Sequence, residues 1–201
     1  MASHPRALMF NTLTFVLLAG CAGKAGSKGA EPENPYYVER PSEDGLIIVE
    51  IDLNSDNRAD VFNYYRERTQ AARLLVKKEI DLNWDGRVDV TSFYDESGKL
   101  TREEMDGDFD GRVDWIDHYQ GGVRVMSEVD TEYDGRIDLW KYYESSQVRR
   151  RERDTNADGK VDYWEYFDNN GTVIKTGRDV DGDGTMDERS DIGAASNTAG
   201  K

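Results

Sequence analysis

The chain is short of the residues that carry most side-chain chemistry. One cysteine, Cys21, stands in 201 residues, so no disulfide can close within the chain. His4 and His118 are the only histidines, which leaves few side chains that titrate near neutral pH for acid–base work. The most apolar stretch, residues 7–19, is interrupted by Asn11, Thr12 and Thr14 and falls short of the roughly 20 residues that cross a bilayer. Positive charge is in deficit, with 26 Lys and Arg against 41 Asp and Glu. The net charge of −15 repels phosphate, excludes nucleic acid as a partner and favours cations. A mean hydropathy of −0.81 would suit a disordered chain, but 11 Tyr, 6 Phe and 4 Trp recur at regular intervals and point to a folded one.

Aspartate is abundant, and it is periodic. The nine-residue pattern D-x-(D/N/E)-x-D-(G/N)-x-x-D begins at Asp52, Asp81, Asp106, Asp130, Asp154 and Asp179, with spacings of 29, 25, 24, 24 and 25 residues. Each of the first five copies is followed by a run rich in aromatic and β-branched residues, as at 88–94, 113–119, 137–143 and 161–167. Such composition favours strands. Polar or glycine-containing turns come next, at 95–98, 121–122, 144–146 and 169–171. A second strand then leads into the next copy, as at Leu100–Met105, Val123–Val129 and 173–176, and residues 46–51 do the same before the first. The extra residues of the longest spacing fall at 66–73, in a turn, where length is best tolerated.

The unit is therefore loop, strand, turn, strand. A lone hairpin is marginal in water, so the hairpins must associate into a quasi-one-dimensional array. The expected fold is all-β: about six hairpin units of 24–25 residues over 45–191, with Asp-rich loops at the junctions. Open sheet, superhelix and partial propeller all satisfy this pattern. Residues 21–44 are small, polar and proline-bearing and read as a flexible tether, and 192–201 read as a disordered tail. Residues 1–20, with basic Arg6 ahead of the apolar stretch, have the layout of a secretion signal.

The loops place oxygen donors at positions 1, 3, 5 and 9. They are Asp52, Asn54, Asp56 and Asp60; Asp81, Asn83, Asp85 and Asp89; Asp106, Asp108, Asp110 and Asp114. The remaining three are Asp130, Glu132, Asp134 and Asp138; Asp154, Asn156, Asp158 and Asp162; Asp179, Asp181, Asp183 and Asp187. Alternate residues wrap one side of a hard cation, a glycine or asparagine at position 6 makes the sharp turn, and position 9 closes the far side. Calcium takes about six to eight oxygens, which this set meets with a backbone carbonyl and water. Up to six Ca²⁺ are expected, held best in the third and sixth loops with four aspartates each, and least well in the first and fourth. The competing reading is a set of Asp/Gly turns whose position-7 arginines pair with nearby aspartates. Positions 1, 3, 5 and 9 hold 21 of the 41 acids, and these clusters repel one another unless a cation sits among them.

Two family resemblances follow from these residues. Leu18-Ala19-Gly20-Cys21 resembles the lipobox of bacterial lipoproteins. That resemblance implies cleavage before Cys21, a lipid on its sulfur and membrane anchoring in the cell envelope. Ala22 in place of an aspartate implies the outer membrane, with a periplasmic or surface-exposed body. The nine-residue loops resemble the calcium loops of FG-GAP (integrin-propeller) and thrombospondin type 3 repeats, which implies calcium ligation. The short period departs from FG-GAP blades. EF-hands are set aside because position 12 is Asn63, Ser92, Asp117, Lys141, Glu165 and Ser190, with glutamate only once.

No enzymatic activity is expected. His118 replaces an aromatic strand residue, the cysteine belongs to the lipobox, and the carboxylate pairs belong to the repeat. The expected function is a calcium-stiffened, membrane-tethered spacer or adhesion module with a cell-surface protein or glycan as partner. The alternative is a glycan- or peptide-binding lipoprotein using exposed aromatic rows, Trp115, Trp140, Trp164, Tyr142 and Tyr166. Asp183→Ala should remove about one bound ion, counted by calorimetry, and loosen the C-terminal end while leaving distant repeats folded. Global unfolding from that change would contradict a locally coupled array.

Overall fold

The computed structural model describes residues 37–192. Residues 1–20, read above as a secretion signal, Cys21, most of the stretch read as a tether and nearly all of that read as a tail lie outside the described residues.

Thirteen strands follow one another: β1 (Tyr37–Pro41), β2 (Ile47–Ile51), β3 (Val61–Arg66), β4 (Leu74–Ile80), β5 (Val90–Tyr94), β6 (Leu100–Met105) and β7 (Trp115–Gln120). The series continues with β8 (Val123–Val129), β9 (Leu139–Glu144), β10 (Gln147–Arg153), β11 (Tyr163–Phe167), β12 (Val173–Arg178) and β13 (Glu188–Asp191). Each strand pairs antiparallel with its neighbours in sequence, and the order across the single sheet is the order of the chain. The all-β hairpin array is thus one open sheet, its hairpins joined edge to edge. Because direction alternates, all six Asp loops lie along one end of the sheet and the hairpin turns along the other. Successive loops are two strands apart, roughly 10 Å.

Two boundaries differ from the sequence reading. The strands β5, β7, β9 and β11 begin two residues later than the hydrophobic runs that announce them. Positions 8 and 9 belong to the loop, because the position-9 side chain turns inward to its backbone. The stretch 21–44, expected to be a tether, contains a strand at Tyr37–Pro41, which pairs with β2 and satisfies backbone groups that β2 would otherwise present to water. The exposed edges, β1 with Arg40 and Pro41 and β13 with Glu188 and Arg189, carry charge and proline that discourage further strands from adding.

The register sorts side chains into rows that cross every strand. Nearest the loops is an apolar row, Val61–Ile80–Val90–Met105–Trp115–Val129–Leu139. Val61, Val90, Val129 and Leu139 in it are each 6–7% exposed. On the same face lies a polar row in which Ser92, Asp117 and Ser127 are buried, and then an aromatic row with Tyr65, Tyr94, Tyr119, Tyr143 and Phe167. Each of the hairpins β3–β4, β5–β6, β7–β8, β9–β10 and β11–β12 has a register shift near its turn. Such a bulge increases local twist and explains why apolar residues do not alternate cleanly in sequence.

Among the described residues the opposite face has no second layer. One of its rows alternates ring and cation, Tyr64–Lys77–Phe93–Arg102 and then Tyr142–Arg150–Tyr166–Lys175. The row beside it places Glu50, Glu79, Glu104, Glu128 and Glu152 on the even strands. Lys77 reaches Glu79 at 2.7 Å and lies 3.9 Å over the Tyr64 ring, and Arg150 repeats this with Glu152 at 3.1 Å and Tyr142 at 3.9 Å. Tyr142 Oη donates to Glu152 at 2.9 Å. His118 joins the same pattern through Glu128 at 2.7 Å, which fits its reading as a strand residue. Aliphatic stems of lysine and arginine cover the rings while their charges stay paired and wet. Each pair contributes little alone, about 0–1 kcal/mol, but repetition along the sheet replaces a second layer.

Leu139→Ala should cost about 2–4 kcal/mol in urea titration. Hydrogen exchange should show the loss concentrated in β8–β10, since each strand packs chiefly against its neighbours.

Candidate metal centres

The same hydrogen bonds recur in the Asp loops. The position-1 carboxylate accepts the position-6 amide in all six, at 2.9, 2.7, 2.7, 2.6, 2.7 and 2.6 Å for Asp52, Asp81, Asp106, Asp130, Asp154 and Asp179. Its other oxygen accepts the position-4 amide in five, as from Trp84 at 2.6 Å and Phe109 at 2.7 Å. Position 5 accepts the position-7 amide, from Asp56 at 2.8 Å to Asp183 at 2.7 Å. The position-9 carboxylate reaches back to the amide of position 2, as Asp60 does to Leu53 and Asp89 to Leu82, both at 2.6 Å. Backbone bonds chain the loops together: the position-1 amides of Asp81, Asp106, Asp130, Asp154 and Asp179 donate to the position-9 carbonyl of the loop before, at 2.7–3.0 Å.

This wrapping requires left-handed backbone at two places. Position 6 has φ of 86–94° at its five glycines and 69° at Asn57, as the sequence predicts. Position 4 is also left-handed, and sequence reading missed it because Ser55, Trp84, Phe109, Tyr133 and Ala157 there are not glycine. Left-handed backbone costs such residues about 1–2 kcal/mol each, offset at Ser55, Trp84, Phe109 and Tyr133 by the amide that position 4 gives to the position-1 carboxylate. The conformation also turns Trp84, Phe109 and Tyr133 outward, 58%, 42% and 42% exposed.

Position-7 bases do more than pair within their own loop. Arg112 does pair with Asp110 at 2.5 Å, and Arg87 lies 3.9 Å from Asp85. They also lie over the next loop: Arg112 Nη1 donates to the Asp134 carbonyl at 3.4 Å, and Lys160 Nζ to that of Gly182 at 2.7 Å. A methyl group at Gly135 would stand 2.9 Å from Arg112 Nη1, so in the fourth loop a side chain at position 6 would make the crossing arginine shift; at Gly86, Gly111 and Gly184 it would meet only ordinary or slightly tight contact. The signal for this role was a base at position 7 in five of six copies, beside a glycine or asparagine at position 6.

Carboxylate oxygens converge closely enough for one ion in two groups among the described residues: Asp106, Asp108 and Asp114, and Asp179, Asp181 and Asp187. These are positions 1, 3 and 9 of the two loops with four aspartates. Asp110 and Asp183 stand outside the groups, Asp110 being held by Arg112. Burial pushes the Asp114 carboxyl up, against the pull of the Gly107 and Asp108 amides. The Gly184 amide leads several that hold Asp179 below the usual carboxylate range. In loops one, two and five the third donor is the neutral amide of Asn54, Asn83 or Asn156. In the fourth and fifth loops, Thr131 and Thr155 hydroxyls also donate to Asp138 and Asp162, both at 2.8 Å, and occupy oxygens an ion would use. Glu132 does not join a convergent group.

The aromatic rows are less open than expected. Trp164 is 8% exposed, and Trp115, Trp140, Tyr142 and Tyr166 are half-buried. Lys141 lies over Trp115 at 4.3 Å and Lys175 over Tyr166 at 5.4 Å, so cations cover those rings.

No protein-family model and no curated protein matches the chain. Among solved structures, similarity is found to accessory secretory protein 1, 2 and 3 of Streptococcus pneumoniae, at 13% identity and TM-score 0.34 over 59% of this chain and 19% of that one. A mutant of S. aureus TarM in complex with fondaparinux, alpha-GlcNAc-glycerol and UDP gives 15% identity and TM-score 0.37 over 57% and 21%. A further TarM structure gives 12% identity and TM-score 0.23 over 62% and 19%. The chain spans about a fifth of those chains, and likeness this slight establishes neither fold nor activity.

Positions 9 and 3 should separate in their effects. Asp60, 1% exposed, holds two backbone amides, so Asp60→Ala should cost about 2–4 kcal/mol with or without calcium. Asp108→Ala should change the chelated protein by less than about 1 kcal/mol. It should, however, remove about 1.4 kcal/mol of calcium-dependent stability at tenfold excess over Kd, read from paired melts with Ca²⁺ and chelator.

Proposed function

We propose that this protein is a membrane-anchored, extracytoplasmic calcium-binding repeat lipoprotein, serving as a stiff spacer or adhesion and interaction module of the bacterial cell envelope. The observation that carries the metal reading is the convergence of three carboxylates in each of the third and sixth loops. All-oxygen donors suit a hard cation, and calcium tolerates the irregular geometry of a loop better than magnesium does. Anchoring rests on Leu18-Ala19-Gly20-Cys21, and Ala22 favours the outer membrane. The module is not an enzyme in this reading: its acids serve the repeat and its one described histidine is paired within the sheet.

A spacer needs joints that resist bending. Ions in a row along one end would remove the repulsion between loops and lock each to the next through the position-7 crossings. An interaction module needs exposed contacts, and Trp84, Phe109, Tyr133, Leu82 and Val180 stand out from the same loops beside the carboxylates. Such side chains suit a cell-surface protein or glycan held partly through calcium.

Calorimetric titration of the purified protein with Ca²⁺ should show at least two sites, with Kd of roughly 10⁻⁴–10⁻³ M, and a melting temperature that rises with occupancy. No uptake at millimolar Ca²⁺ and an unchanged melt in chelator would overturn the proposal.

A further inference from the structure

The repeat is interrupted at one place, away from the Asp loops. Along the buried polar row, paired positions read Asn63 with Lys78, Ser92 with Glu103, Asp117 with Ser127, and Glu165 with Thr176. Between the last two, β9 and β10 set Lys141 opposite Arg151, two cations face to face. Like charges directly opposite are unfavourable in a sheet, and neither the repeat nor the fold requires them. They line a cleft of about 580 Å³ toward the hairpin-turn end, together with Arg124, the rings of Tyr143 and Phe167, and the amide of Asn170. No carboxylate lines it, in a chain of net charge −15.

The cations are not equally engaged. Arg124 is held by Asp117 at 2.9 Å and Arg151 by Glu165 at 2.5 Å, acids of the same polar row that do not line the cleft. Among the described residues no carboxylate lies within ion-pair distance of Lys141 Nζ, which rests 4.3 Å from the centre of the Trp115 ring. Burial, reinforced by Arg151 and Arg124, holds its pKa below the ordinary lysine value. One positive charge thus lacks its counter-ion, between flat rings and a side-chain amide.

The geometry points to a binding site for an acidic saccharide, in which a uronate carboxylate meets Lys141 between the two arginines and the sugar ring lies against the parts of the Tyr143 and Phe167 rings that Arg124 and Arg151, 4.5 and 5.3 Å over them, leave open to the cleft. The single uncompensated charge suits a monoanion. The rings and Asn170 suit a hydroxyl-bearing ring with apolar faces, and the cleft is within the usual range for small-ligand sites. This site shares no residue with the Asp loops, so it stands or falls apart from calcium.

Trp115, under the Lys141 ammonium, supplies the readout. Purified protein at constant excess Ca²⁺ should show a saturable change in tryptophan fluorescence with tri-galacturonate, with Kd below about 1 mM. Binding should be at least tenfold weaker with neutral maltotriose and with Lys141→Gln, and Lys141→Arg should restore it to within about threefold. Circular dichroism of both variants should match the parent. Absence of saturation up to about 10 mM, equal binding of maltotriose, equal binding by Lys141→Gln, or equally tight binding of acetate would each overturn the proposal.

Discussion

The fold depends on one interaction, repeated: an aspartate carboxylate accepting backbone amides from its own loop. In every copy, the position-1 side chain holds the amide that follows the sharp bend, and the position-9 side chain holds the amides that open the loop. Hydrogen bonds to a charged acceptor contribute about 1.5–3 kcal/mol each, against about 1 for a neutral pair. Among the described residues the buried polar groups include Asp60, Asp81, Asp89, Asp106, Asp114 and Asp130, all at or below 5% exposed. Carboxylates therefore complete the apolar row in place of a second hydrophobic layer. A metal ion would add to this arrangement by neutralising it; the amides already hold the loop geometry.

The two faces of the sheet answer the same difficulty in different ways. A single layer exposes both sides, and the chain is too polar to cover either with hydrocarbon. One face buries a valine and leucine row beside the loops and a hydrogen-bonded polar row behind it, with Ser127 wholly buried against Asp117. The other lays lysine and arginine stems over tyrosine rings and ties the charged ends to glutamates. Both devices are local, so stability grows by adding hairpins, and a chemical departure can be placed in one repeat without disturbing the next. The Lys141–Arg151 pair is such a departure.

Much of the fold was legible because the repeat made it so. The six loop starts, the strand–turn–strand unit and the glycine at position 6 follow from spacing and side-chain type alone. The strand starts were read two residues early because Val88, Val113, Ile137 and Val161 look like strand residues, while Asp89, Asp114, Asp138 and Asp162 beside them are fixed by bonds to distant amides. The bulges were illegible because skipped residues such as Val76, Thr101 and Val125 have no distinctive chemistry. Position 4 was missed because aromatic residues rarely adopt left-handed backbone, and only the carboxylate behind them makes it stable. The convergence of three carboxylates in the third and sixth loops was legible from their four aspartates. The competing hydroxyls of Thr131 and Thr155 were visible in sequence but meaningless until the position-9 carboxylates were seen to face them.

The most direct test of this account asks whether the loops are shaped before any ion arrives. Amide hydrogen exchange should be followed in chelator at positions 4 and 6 of each loop, for instance Trp84, Gly86, Phe109 and Gly111. Retained protection at those amides, comparable to the adjoining strand ends, is the outcome the account requires. Exchange at unfolded rates there, beneath intact strands, would mean that the ion and not the carboxylate–amide bonds gives the loops their form.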